Sequence, residues 1–268
     1  MNSQLDYIQK LRAENPLIHC MTNIVVANFQ ANGLLALGAS PIMADAFEEA
    51  ADIAALSSCT LLNIGTLDAS KIEAMIEAGK SANQHGKPVI LDPVGAGATP
   101  FRKQAVERML QNLDVTLIRG NAGEIAALAN VEWTAKGVDA GEGSADIALV
   151  AKELAHHHRC LVAVTGETDM VTDGESIIRI TGGHPLMTRI TGAGCLLSAV
   201  CAAFLAIAPS QEKDVIAAAL AFYKKAGERA AANAEGPGDY SIHLLNALSS
   251  LDGQSIDSSK IYLKGVRQ

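Results

Sequence analysis

Short, almost wholly apolar runs recur at residues 60–64, 88–91, 115–118 and 161–164, each followed within two residues by Gly, Asp or Asn. Runs of four or five such residues fit strands buried on both faces. Between them lie Ala- and Glu-rich stretches with helical spacing, at 70–85 and 122–129. This alternation predicts an α/β fold, a mainly parallel sheet covered by helices, whose strand C-termini share one ligand-binding edge. Further along, Asp173-Gly174 separates Met170-Val171 from Ile177-Ile178-Arg179-Ile180 and predicts a hairpin, so an antiparallel edge follows the parallel part. Residues 195–208 are apolar on nearly every helical face and predict a buried helix. Helices are also expected over 213–234 and 240–248, and the Gly- and charge-rich stretch 132–144 reads as a surface loop. With no Pro/Ser-rich linker and no repeat, residues 1–268 are expected to form a single domain.

Composition narrows the classes of partner. The formal charge is −8 and no long basic run interrupts it, which argues against nucleic acid and against anionic membrane surfaces. The N-terminus, Met1-Asn2-Ser3-Gln4-Leu5-Asp6, lacks the basic and apolar regions of a secretory signal, and 195–208 is short for a bilayer span. The five cysteines, Cys20, Cys59, Cys160, Cys195 and Cys201, form no CxxC pair and suit a reducing cytoplasm.

Thr191-Gly192-Ala193-Gly194-Cys195 opens the apolar helix. Two glycines let the backbone approach a ligand, and the helix N-terminus offers unpaired N–H groups to an anion such as a transferring phosphoryl group. A tight turn before a core helix is the blander account of the same residues. Other phosphate motifs are weaker. Gly79-Lys80-Ser81 lacks the earlier glycine of a P-loop, there is no GxGxxG, and Gly236-Pro237-Gly238-Asp239 reads as a helix C-cap. His156-His157-His158, near Cys160, closes a helical stretch, and consecutive helix positions point apart, so a shared metal ion is disfavoured.

Six segments in order carry a resemblance: His19-Cys20-Met21-Thr22-Asn23, 31–43 (ANGLLALGASPIM), Leu91-Asp92-Pro93-Val94-Gly95-Ala96, Arg119-Gly120-Asn121-Ala122-Gly123-Glu124, Val164-Thr165-Gly166, and 191–195. Together they resemble the hydroxyethylthiazole kinases, ribokinase-like enzymes of thiamine synthesis and salvage. The resemblance implies a three-layer α/β/α sandwich without a lid domain, and ATP-dependent phosphorylation of the alcohol of 4-methyl-5-(2-hydroxyethyl)thiazole. It also implies Mg²⁺ and a homotrimer with substrate sites between subunits.

Residue roles follow from the same match. Cys195 stands where ribokinase-like kinases usually carry an aspartate base. A thiol at a helix N-terminus can have a lowered pKa, although phosphoryl transfer asks little of a base. Asp92 and Glu124, the latter ending an Asn-x-x-Glu pattern, suit Mg²⁺; the plainer account of Glu124 is an acid that starts a helix. Arg119, Thr165 and Gly194 fall on the nucleotide side. Met43, Gly192, Asn23 and Val25 fall on the thiazole side, where Met43 and Val25 would otherwise read as core. Kinases of another vitamin precursor such as hydroxymethylpyrimidine, ATP-dependent nucleotide-hydrate dehydratases and a non-catalytic nucleotide-binding module are the rivals. Cys195 in place of aspartate counts against the dehydratases, and the pattern from His19 to Met43 counts against the pyrimidine kinases.

Overall fold

The computed structural model describes residues 3–132, 134–136, 139–142, 146–208, 212–253 and 261–264. Its centre is a nine-stranded sheet. Six strands are mutually parallel: β1 (Leu17–Met21), β2 (Ser40–Ile42), β3 (Cys59–Asn63), β4 (Val89–Asp92), β5 (Leu117–Asn121) and β8 (Leu161–Thr165). Their spatial order is β2-β1-β3-β4-β5-β8. The antiparallel strands β9 (Asp169–Thr172), β10 (Ile177–Ile180) and β11 (Ile261–Lys264) extend the sheet beyond β8. The hairpin expected at Asp173-Gly174 joins β9 to β10. Asp173 Oδ1 accepts from the Glu175 and Ser176 amides, and Gly174 takes φ +95°, a conformation that favours glycine.

Alternation along each strand divides the core between the two faces. Ile18, Cys20, Cys59, Leu61, Ile90 and Leu117 face one apolar cluster, with α1 (Ser3–Glu14), α2 (Ala27–Leu37), α8 (Ala193–Ile207), α9 (Glu212–Ala231) and α10 (Pro237–Ser250). Met21, Leu62, Leu91, Ile118 and Val162 face the other, with α3 (Phe47–Leu56), α4 (Ala69–Gln84), α5 (Pro100–Asn112), α6 (Ala122–Leu128) and α7 (Ile147–His158). A sheet buried on both faces explains why the strands read as continuous apolar runs rather than as alternating ones. The result is the helix-covered, mainly parallel sheet that the alternation predicted, in the three-layer α/β/α sandwich that the resemblance implied. α8 is buried along nearly its whole length and packs on β1, β3 and β4.

The structure revises three expectations. The stretch 132–144 contains a small hairpin, β6 (Thr134–Lys136) with β7 (Asp139–Glu142), among its described residues. Gly236-Pro237 begins α10 instead of closing the preceding helix. Gly236 is the N-cap, Pro237 occupies the first turn, and Asp239 accepts from the Gly236 amide. The run at 115–118 is shifted: β5 continues to Asn121, so Arg119 lies inside the strand. No described helix is long and apolar enough to cross a membrane.

Candidate active site

Parallel strands end together, so the residues that close them form a row. Along the sheet order the row reads Met43 after β2, Asn23 after β1, Asn63 at the end of β3, Asp92 at the end of β4, Arg119 in β5 with Glu124 just beyond, and Thr165 at the end of β8. The N-terminus of α8 abuts this row. Gly192, its N-cap, has φ +90°, and a Cβ there would meet Val26 at 2.8 Å, so both backbone and space require glycine. The first intrahelical bond runs from the Leu196 amide to the Gly192 carbonyl, which leaves the amides of Ala193, Gly194 and Cys195 at the open end. Two buried side chains hold this turn from behind. Gln30 of α2 donates to the Cys195 carbonyl at 2.6 Å, and Tyr223 of α9 donates to the Ala193 carbonyl at 2.7 Å.

Arg119 is the central cation. Its Nη2 donates to Thr165 Oγ1 at 2.5 Å, and its Nη1 lies 4.0 Å from Asp92 Oδ1. A Cβ on Gly194 would sit 3.1 Å from the guanidinium, so the second glycine of the turn makes room for it. Burial works against its charge, but Asp92 and Glu124 raise its basicity.

Asp92 is fully buried. Its Oδ2 accepts from Asn63 at 2.7 Å and from Ser198 of α8 at 2.8 Å, while its Oδ1 has no hydrogen-bond partner. Burial pushes this carboxyl above its usual range, against the pull of Arg119, Ser198 and Asn63. Glu124 fulfils its plainer expectation in detail. It forms a capping box with Asn121, and its oxygens accept from the Asn121 amide at 2.8 Å and the Gly95 amide at 2.9 Å. Burial and the neighbouring Asp92 push it up to about 7. Two acids raised by desolvation, Glu124 also by the charge of Asp92, are a site that a cation would relieve. Hard oxygen donors and a buried carboxylate oxygen that accepts no hydrogen bond fit Mg²⁺, which needs few protein ligands when it also binds phosphate.

Cys195 corrects a second kind of expectation. Its thiol is pushed up to about 11, not down. Burial and the charge of Asp92 outweigh the hydrogen bonds from Asn63 and Asn23 and the attraction of Arg119. Asn23 Nδ2 reaches Cys195 Sγ at 3.5 Å and Asn63 Oδ1 at 2.9 Å, so an Asn23–Asn63 pair links the thiol to Asp92. The following residues, Ile24 and Val25, are 74% and 65% exposed. Met43 is half-buried against the α8 side of the core.

The structure therefore brings Asn23, Asp92, Arg119, Glu124, Thr165, Gly194 and Cys195 into one connected cluster; Gly192 holds the turn, and Met43 and Val25 flank the Asn23 end. Asn63 and Ser198 were missed. Asn63 had a signal, a polar residue closing a buried apolar run as Asp92 does. Ser198 follows Cys195 by three residues on one helix, which places both on the same face.

The parallel sheet between two helical layers, with a glycine turn at a helix N-terminus against one sheet edge, is a ribokinase-like fold. A ribokinase-like superfamily protein from Enterococcus faecalis superposes with a TM-score of 0.62 over 91% of this chain and 93% of that one, at 15% identity. The sequence model of the hydroxyethylthiazole kinase family matches residues 8–254, and the chain belongs to that family. A hydroxyethylthiazole kinase of Lysinibacillus sphaericus is 53% identical over 243 residues, 91% of this chain and 95% of the relative. One from Exiguobacterium sp. is 51% identical over 252 residues, 94% and 95% of the two chains. The solved hydroxyethylthiazole kinase protein from Pyrococcus horikoshii OT3 superposes with a TM-score of 0.87 at 36% identity, over 98% of this chain and 99% of that one.

Proposed function

We propose that this kinase transfers the γ-phosphoryl group of ATP to the hydroxyl of 4-methyl-5-(2-hydroxyethyl)thiazole, for thiamine synthesis. The observation that carries the reading is the row from Met43 to Thr165 with the α8 N-terminus against it. One end is cationic and polar, the other apolar, and the glycine turn lies between. The new bond joins the alcohol oxygen to phosphorus, the bond to the β–γ bridging oxygen breaks, and the products are ADP, the phosphate ester and a proton.

Arg119 and Thr165 hold the nucleotide phosphates, and the Gly194 amide receives negative charge as the phosphoryl group moves. Asn23, Val25, Met43 and Gly192 orient the thiazole alcohol toward that turn. Cys195 sits beside the acceptor oxygen. With its thiol up at about 11, its part is mainly to position the alcohol through Asn23, since phosphoryl transfer is governed by placement and charge stabilisation. Mg²⁺, held by Asp92 and by Glu124 directly or through water, would neutralise phosphate oxygens.

The same reading takes residues 1–268 as one domain in the reducing cytoplasm, working as a homotrimer with substrate sites between subunits. The exposed apolar pair Ile24–Val25 beside Asn23 supports the last point, because a neighbouring subunit would cover it. The test is incubation with ATP, Mg²⁺ and either the thiazole alcohol or hydroxymethylpyrimidine, with products identified by mass. Phosphorylation of the pyrimidine alone would overturn the assignment.

A further inference from the structure

Lys224 is a buried lysine outside the row just described. It lies on the face of α9 that packs against β8, β9 and β10. Its Nζ donates to three backbone carbonyls, Gly166 at 3.0 Å, Glu167 at 3.1 Å and Gly182 at 3.2 Å. Asp169 Oδ1, 3.2 Å away, is its counter-charge and also accepts from the Gly166 amide at 2.9 Å. The ammonium has three N–H donors and four acceptors, so it has no donor left for a ligand. Carbonyl oxygens around a single positive charge, with one carboxylate to balance it, are the coordination chemistry of a monovalent cation.

The placement gives the cage a purpose. Gly166 and Glu167 directly follow Thr165, the hydroxyl that Arg119 holds. Gly182 follows β10, whose Ile180 pairs with Asp169 at the same sheet edge. Lys224 thus ties the loop after β8 to the loop after β10, directly beside Thr165. A Cβ on Gly166 would meet nothing within 4 Å, so this loop borders open space where a nucleotide can lie. Without a cation, three carbonyls and a buried carboxylate would repel one another, and the loop carrying Thr165 would lose its fixed position.

We propose that Lys224 is a built-in monovalent cation, a positioning residue that fixes the nucleotide side of the site by clamping the Gly166–Glu167 and Gly182 backbones. The proposal rests on the reading of Arg119 and Thr165 as the nucleotide side. It predicts that a small free cation can replace the side chain when space is made for one.

The experiment uses the full chain and three variants: Lys224→Ala, Lys224→Met with Asp169→Asn, and Thr165→Val. Steady-state kinetics are measured with tetramethylammonium as the only added monovalent cation, and again with ammonium or potassium. Lys224→Ala should raise the KM for ATP about tenfold or more while leaving the thiazole KM within about twofold. Ammonium or potassium should recover most of that loss and leave the unsubstituted enzyme unchanged. The double variant removes both buried charges together, so it keeps the test open if Lys224→Ala does not fold; its KM for ATP should rise and not be rescued. An unchanged KM for ATP in a folded Lys224 variant, an equal rise in both KM values, or failure of both cations to rescue folded Lys224→Ala would overturn the proposal. Thr165→Val separates the two readings. If it leaves the KM for ATP unchanged, the nucleotide-side assignment fails; if it raises that KM while the Lys224 variants do not, only the cation proposal fails.

Discussion

The two ends of the strand-end row are finished to different degrees within one chain. At the Thr165 end the charged groups are buried and paired: Arg119 with Thr165 and Asp92, Lys224 with Asp169 and three carbonyls. At the Asn23 end, Asn23 is fixed by Asn63 and Cys195, but the next two residues, Ile24 and Val25, project apolar side chains into solvent. A phosphate site needs a rigid, desolvated array of donors, which a single folded chain can supply. A site for an apolar ring needs walls, and here the walls are incomplete until a substrate or a second copy of the chain covers them.

Arg119→Met should break the finished end most severely. It leaves Asp92 and Glu124 buried without their cation, and kcat/KM should fall by about 10²–10³-fold, with stability lost as well. Arg119→Lys should not restore activity, because an ammonium cannot span Thr165 and Asp92 as the guanidinium does. Kinetics of the folded lysine variant check this; near-normal turnover would deny Arg119 its role.

Glu124 tests the same end through stability. Its folded pKa of about 7 lies above its ordinary 4.5, so between those values the folded chain holds a proton that the unfolded chain releases. Its contribution to stability is complete below pH 4.5 and is lost as pH rises through 7, a change of about 3 kcal/mol for a fully isolated group. Urea unfolding at pH 5 and pH 8 without metal should show that slope, and Glu124→Gln should flatten it. The same variant should raise the Mg²⁺ concentration needed for half-maximal rate; an unchanged titration counts against a metal role.

The open end should respond more mildly and in a different parameter. Val25→Asp should raise the thiazole KM about tenfold and leave the ATP KM within about twofold. Sedimentation of the same variant should show weakened self-association, and a trimer unaffected by the change would place the interface elsewhere.

The smallest effect belongs to the junction. Cys195→Ser should lower kcat several-fold without abolishing it, and Cys195→Asp should retain or raise it. Because the thiol is pushed up to about 11, only about 10⁻⁴ of it is thiolate at pH 7; that fraction grows about tenfold per pH unit, and kcat would grow with it if the thiolate drove the rate. A kcat flat from pH 7 to 9 is therefore expected, and a tenfold rise per unit would make the thiolate the base after all.

Much of this site is legible in the chain. Asp92 and Thr165 close apolar runs, the glycines at 192 and 194 announce the turn, and the hairpin at Asp173-Gly174 lies where its residues put it. These are local properties: backbone freedom, strand periodicity and the residue that ends a strand. The sheet order, which sets Asn63 between Asn23 and Asp92, depends on packing between segments far apart in the chain. So does the Lys224 cage, whose partners lie 42 to 58 residues away. The sign of the Cys195 shift turned on the same distinction. The sequence by itself set the thiol at a helix N-terminus, where the dipole lowers a pKa. Only the tertiary structure decided that burial and the carboxylate of Asp92 would surround it, and desolvation with a like charge close by outweighs the helix end.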